Sequence, residues 1–83
     1  MSVSVVLYSR PGCCLCDDAR EILLRAAATY GFELAERDIE DDEQLLRRYL
    51  ERIPVVTIDG IEVFELLIDE SELERYLARV QPG

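Results

Sequence analysis

Three cysteines, Cys13, Cys14 and Cys16, stand within four residues of this chain, and it has no others. A secreted disulfide scaffold spreads its cysteines to join distant segments, which so tight a cluster cannot do. Their odd number also argues against a purely structural framework. The chain must therefore be held by a hydrophobic core, and 49% hydrophobic residues among 83 are enough for one. The sequence predicts a single domain over residues 1–83.

Hydrophobic periodicity predicts strand, helix and strand in the first half of the chain. The apolar residues 3–8 indicate a central strand, buried on both faces. Apolar residues at spacings of three and four then predict an amphipathic helix over residues 14–30, which Gly31 ends. Residues 32–37 are the second strand, expected to be parallel to the first through a right-handed crossover. The predicted inner face of the helix is Leu15, Ala19, Ile22, Leu23, Ala26, Ala27 and Tyr30.

The second half of the chain predicts a short helix, a hairpin and a last helix. Acidic residues 38–43 suit the start of a helix. Strands 55–58 and 61–64 are joined by Asp59-Gly60, which supplies the positive φ angles of a two-residue turn, and this hairpin should join the same sheet. Asp69 caps the last helix, with Glu72 three residues on, and Pro82-Gly83 end the chain. The predicted buried residues are Leu45, Leu46, Tyr49 and Leu50 in the short helix, and Leu73, Tyr76, Leu77 and Val80 in the last.

Charge and composition exclude several classes of function. The net charge is −9, from 18 acidic residues against nine arginines, with neither lysine nor histidine. We expect no nucleic-acid partner, because that binding requires basic clusters. No apolar run reaches the length needed to span a membrane, so no membrane partner is expected. Without histidine the chain can form no Cys–His dyad. Residues 1–8 lack the basic start and cleavage site of a signal peptide, which favours a cytoplasmic protein.

The cysteines can be read as a C-x-x-C motif, Cys13 to Cys16, between a strand and a helix. Residues three apart meet on one face of a helix, so their sulfurs can approach bonding distance. The helix N-terminus would stabilise a thiolate at Cys13, and Arg10 would add positive charge. Asp17 and Asp18 act against this, although solvent screens them if they are exposed. This pattern predicts thiol–disulfide exchange, with Cys13 attacking a substrate disulfide and Cys16 then resolving the mixed disulfide.

Other roles for the same residues stay open at this point. Cys14 is a rival partner for Cys16, an exposed variable position, or a site of glutathionylation or intermolecular bridging. The cysteines can also pack as small hydrophobic residues. A metal or iron–sulfur site is the main alternative function, although zinc usually takes four ligands. A third possibility is an interaction module whose acidic surface recognises a basic partner.

The segment Tyr8-Ser9-Arg10-Pro11-Gly12-Cys13-Cys14-Leu15-Cys16 resembles the active-site segment of glutaredoxins. Residues 3–80 resemble small bacterial glutaredoxin-like proteins, whose C-x-L-C motif is followed by an acid, here Asp17. Arg52-Ile53-Pro54-Val55-Val56 is similar to their cis-proline loop. The resemblance implies a thioredoxin-like α/β fold, in which a four-stranded mixed sheet is flanked by three helices in the order β-α-β-α-β-β-α. It also implies that Cys13 is the nucleophile and Cys16 the resolving cysteine. Pro54 would be cis and face them, and Ile53 would pair its backbone with substrate.

Two departures from the glutaredoxin pattern concern the substrate. Cys14 and Leu15 replace the usual Pro and Tyr, and residues 64–68 lack the usual Gly-Gly after the fourth strand. Arg10 and Arg52 are candidate receivers of glutathione's carboxylates, and both are equally well explained as surface charges. We expect a monomer without resident cofactor or metal. Its substrate would be a disulfide-bearing protein or glutathione, and its thiol reductant glutathione, a thioredoxin-type reductase or another protein dithiol.

Overall fold

The computed structural model describes residues 3–80, and of Val80 it describes only the backbone. The predicted chain end at Pro82-Gly83 and the inward side chain of Val80 lie outside the described residues. The element order is the predicted one, with a short 3₁₀ turn added at Ile39–Asp41. The elements are β1 (Ser4–Ser9), α1 (Cys14–Tyr30), β2 (Glu33–Asp38), α2 (Glu43–Tyr49), β3 (Val55–Ile58), β4 (Ile61–Glu65) and α3 (Glu70–Val80).

The four strands form one mixed sheet in the order β2-β1-β3-β4. Strands β1 and β2 are parallel, while β3 is antiparallel to both β1 and β4. The predicted parallel pair and the hairpin joined to the same sheet are both confirmed. Strand β3 is interior, and all four of its residues are buried, because helices cover both faces of the sheet there.

Buried side chains form two clusters, one on each face of the sheet. The larger joins the sheet to α1 and α3, and it includes Leu7, Leu23 and Leu77. The smaller contains Cys16, Ile39, Tyr49, Ile53 and Val55, with Tyr8, Cys13, Leu45 and Leu46 packed against it. Leu7 and Tyr8 point to opposite clusters because successive strand residues face opposite sides. The predicted cysteine motif therefore belongs to the smaller cluster, beside α2.

The predicted helix and turn boundaries are confirmed by their local geometry. Gly31 ends α1 at φ 73°, a left-handed conformation that glycine adopts without steric cost. Asp69 accepts a hydrogen bond from the Glu72 backbone N–H at 3.1 Å, as expected of a capping residue. Asp59 and Gly60 take φ angles of 52° and 85°, both positive, at the turn between β3 and β4.

Two predicted core residues are exposed instead. Leu15 is 44% exposed because the inward position of the first turn of α1 is taken by Cys16, from which the buried stripe continues through Ala19. Leu50 is 42% exposed because α2 ends at Tyr49, so Leu50 only flanks the helix. No helix within residues 3–80 has the length and apolar character to cross a membrane.

Candidate active site

The structure pairs Cys13 with Cys16 as a disulfide at the N-terminus of α1. Their Cα atoms are 5.2 Å apart, within the usual range for a disulfide. Cys16 is fully buried, Cys13 is half-buried, and Cys14 is an exposed free thiol. Of the two partners that the sequence left open for Cys16, the structure therefore shows Cys13. The difference in burial makes Cys13 the more accessible sulfur of the pair.

Cys13 also caps the helix that it precedes. Its Sγ accepts a hydrogen bond from the backbone N–H of Cys16 at 3.2 Å, and its carbonyl accepts one from Asp17 at 3.1 Å. The residue sits outside the helix, at φ −93° and ψ 109°. A sulfur in this position lies at the positive end of the helix dipole and next to a backbone donor, both of which stabilise a thiolate.

The Ile53-Pro54 peptide bond is cis, as the resemblance implied. Ile53 is buried in the cluster that contains Cys16, and Pro54 is fully buried. The Ile53 N–H donates to the Tyr49 carbonyl at 3.0 Å, so this donor is engaged within the chain. The Pro54 carbonyl accepts from Leu66 at 2.9 Å, which ties the cis-proline loop to the segment after β4.

The strand register brings these segments to one edge of the sheet. Tyr8 pairs with Val55, and Val55 pairs with Glu65. The loop of residues 10–13 follows β1, and Pro54 directly precedes Val55. The dithiol, the cis-proline loop and the end of β4 therefore lie at the same end of the sheet.

An ion-pair network that the sequence did not reveal joins β1, α1 and β2 beneath the cysteine loop. Arg20 donates to Glu36 at 2.6 Å and to Asp17 at 2.8 Å, and the buried Ser9 hydroxyl donates to Glu36 at 2.7 Å. Hydrogen bonds from Arg20, and in smaller part from Ser9, hold the pKa of the Glu36 carboxyl below its usual value, although partial desolvation acts in the opposite direction. The pairs with Glu36 and then Asp17 raise the pKa of the Arg20 guanidinium. Only the Asp17–Arg20 spacing was a visible signal in the sequence.

Arg52 directly precedes the cis-proline loop and belongs to a second network. Its guanidinium donates to Glu65 at 2.6 Å and to Glu62 at 2.5 Å, and it lies 5.5 Å from the centre of the Tyr49 ring. The Tyr49 hydroxyl donates to Glu62 at 3.0 Å. Burial, followed by this hydrogen bond, raises the pKa of the Tyr49 hydroxyl. Tyr8 packs on Tyr49 with ring centres 4.8 Å apart.

A β-bulge in the β3–β4 pair explains how both glutamates reach Arg52. Val55 and Thr57 are alternate residues of β3, so they face the same side, and their partners are Glu65 and Glu62. Residues three apart in a regular strand would face opposite sides. The register shift between residues 56 and 57 adds one residue and brings both carboxylates to one face.

The predicted substrate-binding residues thus all lie near the dithiol edge, with the arginines already engaged. Arg10 pairs with Glu40 at 2.9 Å, and Arg52 pairs with two carboxylates. Ile53 and Pro54 form the cis-proline loop. Within residues 3–80, acidic and cysteine side chains nowhere gather in threes that would hold a metal ion.

Comparison with known proteins agrees with this geometry. The family model described as "Glutaredoxin-like domain (DUF836)" matches residues 4–78. The glutaredoxin-like protein YDR286C homolog of Dictyostelium discoideum is 35% identical in an alignment 78 residues long that covers 87% of this chain and 72% of that protein.

Two solved structures extend the comparison to the fold. Protein XcR50 from X. campestris is 32% identical and superposes with a TM-score of 0.76, covering 93% of this chain and 99% of its own. A thioredoxin from Halobacterium salinarum, 18% identical, superposes with a TM-score of 0.75 over 99% of this chain and 77% of its own, which shows the shared fold alone. This chain therefore has the thioredoxin-like fold that its sequence implied, and it belongs to the glutaredoxin-like domain family DUF836.

Proposed function

We propose that the protein is a dithiol thiol–disulfide oxidoreductase, in which Cys13 is the nucleophile and Cys16 the resolving cysteine. The observation that carries the proposal is the Cys13–Cys16 pair at the start of α1, with one sulfur accessible and the other fully buried. A purely structural disulfide has no need of an accessible sulfur at a helix N-terminus. The family's glutaredoxin-like description supports the same class of chemistry.

The reaction follows from this asymmetry. The Cys13 thiolate attacks one sulfur of a substrate disulfide, forms a mixed disulfide and releases one substrate thiol, which takes up a proton. The Cys16 thiol then loses its proton and attacks the Sγ of Cys13, which forms the Cys13–Cys16 disulfide and releases the second substrate thiol. Two electrons pass from the protein to the substrate. A thiol reductant, either glutathione or a protein dithiol, returns the protein to its reduced form, and the cytoplasm supplies such thiols.

A trapping experiment tests the two roles. Cys14 is first replaced by serine, so that it cannot substitute for Cys16. Hydroxyethyl disulfide, which is neutral, serves as the substrate, and dithiothreitol as the reductant. With dithiothreitol present, we expect Cys14→Ser to turn over. With hydroxyethyl disulfide alone, Cys14→Ser/Cys16→Ser should accumulate a mixed disulfide on Cys13, which mass spectrometry with peptide mapping locates.

The matched control is Cys13→Ser/Cys14→Ser, which keeps only the buried Cys16. This variant should form no adduct and reduce substrate no faster than buffer with dithiothreitol alone. An adduct on Cys16 formed as fast as that on Cys13, or a Cys14→Ser protein without turnover, would contradict the assigned roles.

A further inference from the structure

The arginines on the segments around the dithiol are all paired with carboxylates of this chain. Arg10 lies in the loop before Cys13, Arg20 in the second turn of α1, and Arg52 directly before Ile53. The pairs are Arg10 with Glu40, Arg20 with Asp17 and Glu36, and Arg52 with Glu62 and Glu65, all at 2.5 to 2.9 Å. An anionic ligand at this edge would have to displace one of these carboxylates.

Carboxylates also outnumber cations beside the cysteine loop. A cleft of about 420 Å³ opens next to residues 9–12 and is lined by two arginines and four acids. The arginines are Arg10 and Arg20, and the acids are Asp17, Glu36, Asp38 and Asp41. Next to the cis-proline loop, the β-bulge sets Glu62 and Glu65 against the guanidinium of Arg52, and Glu62 also lies 3.5 Å from the guanidinium of Arg48. The cleft beside the half-buried Cys13 therefore carries an excess of negative charge, and the arginine before the cis-proline loop is offset by carboxylates.

The ion pairs of Arg52 with Glu62 and Glu65 are supported by further contacts. Displacing either carboxylate from the guanidinium therefore costs free energy. Glu62 accepts a second hydrogen bond from Tyr49, whose ring lies under the guanidinium. Glu65 is placed by its register with Val55. Charge-assisted hydrogen bonds of this kind are stronger than neutral ones. An incoming carboxylate would meet both an occupied guanidinium and two like charges.

We propose that this dithiol selects its substrates by charge, reacting with disulfides flanked by lysine or arginine in preference to anionic disulfides such as that of glutathione. Glu62 and Glu65 are the specificity-determining residues, because they neutralise Arg52 at the edge where substrate approaches. The inference rests on the proposed function. Its chemistry is the same exchange, in which the protein dithiol becomes the Cys13–Cys16 disulfide and the substrate disulfide becomes two thiols.

Small disulfides of opposite charge test the inference without an identified partner. Cystamine carries two ammonium groups, dithiodipropionate two carboxylates, and hydroxyethyl disulfide no charge. The rate of oxidation of the reduced protein by each is measured in single turnover. Each rate is divided by the rate of the same disulfide with dithiothreitol, which is neutral, so that intrinsic reactivity cancels.

We expect the normalised rate for cystamine to exceed that for dithiodipropionate by about tenfold at low ionic strength. The ratio should approach one at about 1 M salt, where charges are screened within a few ångströms. A ratio near one at low salt, or one that favours the anion, would overturn the inference. If none of the three disulfides oxidises the dithiol, the proposed function itself fails, so the two failures are distinguishable.

A matched pair of variants locates the effect. Glu62→Gln/Glu65→Gln frees Arg52, and it should lower the ratio several-fold, chiefly by accelerating dithiodipropionate. Glu72→Gln/Glu74→Gln removes the same charge from α3 and should leave the ratio within about twofold of the wild type. If the two variants lowered the ratio equally, net charge would set the substrate preference, and Glu62 and Glu65 would not be its specificity-determining residues. Circular dichroism of each variant checks that it folds. The salt dependence of the wild-type ratio tests the inference without any variant.

Discussion

Cys13 and Cys16 are chemically alike and differ in where the fold places them. Cys13 precedes α1, so its sulfur is within reach of solvent and accepts the backbone N–H of Cys16. Cys16 lies on the inner stripe of the same helix and is fully buried. Cys14 falls between them on the outer side and is exposed. The segment from Cys13 to Cys16 thus contains an accessible sulfur, an exposed free thiol and a buried sulfur.

Arg20 is a positioning residue whose charge should act on Cys13 through Asp17. Asp17 is one helical turn beyond Cys13, and its uncompensated carboxylate would oppose a thiolate there. In a Cys14→Ser background, we expect Arg20→Gln to slow alkylation of reduced Cys13 by iodoacetamide about threefold at neutral pH, since exposed pairs have modest effects. The pH midpoint of alkylation should move upward. Arg20→Lys should restore most of the rate.

Arg25→Gln is the control, because Arg25 lies farther along α1, where it pairs with Glu21 of the same helix and with Glu70 of α3. It should leave the alkylation of Cys13 unchanged. If Arg20→Gln alkylates as fast as wild type at every pH, the network has no electrostatic effect on the thiol.

The hairpin of β3 and β4 has two irregular features at the end of the sheet that carries the cis-proline loop. The β-bulge brings Glu62 and Glu65 to one face, and the segment after β4 folds back on the cis-proline loop. Leu66 makes that return. Its N–H donates hydrogen bonds to the carbonyls of Arg52 and Pro54, at 3.1 and 2.9 Å. Its φ is 69°, in the left-handed region. A leucine there is strained, because its Cβ approaches the backbone.

Leu66→Gly should stabilise the protein by about 0.5–1 kcal/mol, because glycine adopts positive φ without the steric cost. The leucine side chain is 48% exposed, so its loss removes only part of a buried surface. The measurement is the free energy of unfolding in urea. Leu66→Ala, which keeps the Cβ and therefore the strain, should show no gain. A glycine variant less stable than the alanine variant would contradict this account of the segment.

For the whole molecule, the fold was predictable wherever one local pattern decides the outcome. Helical spacing placed α1, Asp59-Gly60 placed the hairpin turn, and Gly31 placed the end of α1. The resemblance of residues 52–56 to a cis-proline loop predicted the cis isomer of the Ile53-Pro54 bond. The close spacing of the cysteines, supported by the resemblance, indicated the Cys13–Cys16 pair.

The remainder depends on contacts between segments far apart in the chain. Glu36 faces Arg20 only because β2 lies parallel to β1, and Glu62 faces Arg52 only because a bulge changes the strand register. The sequence also could not show that Cys16, and not Leu15, would take the inward position in the first turn of α1. The acidic surroundings of the dithiol were visible as net charge, and their arrangement around three arginines required the structure.

The most direct test of the account is a redox titration of the whole protein. The protein is equilibrated across a series of glutathione buffers, alkylated and mapped by mass spectrometry. We predict a single two-electron transition in which Cys13 and Cys16 pair, with a midpoint within about −180 to −270 mV, the range of working oxidoreductases. Cys14 should remain alkylatable throughout. Thiols that neither pair nor exchange across that range, or a disulfide that uses Cys14 instead, would contradict the account.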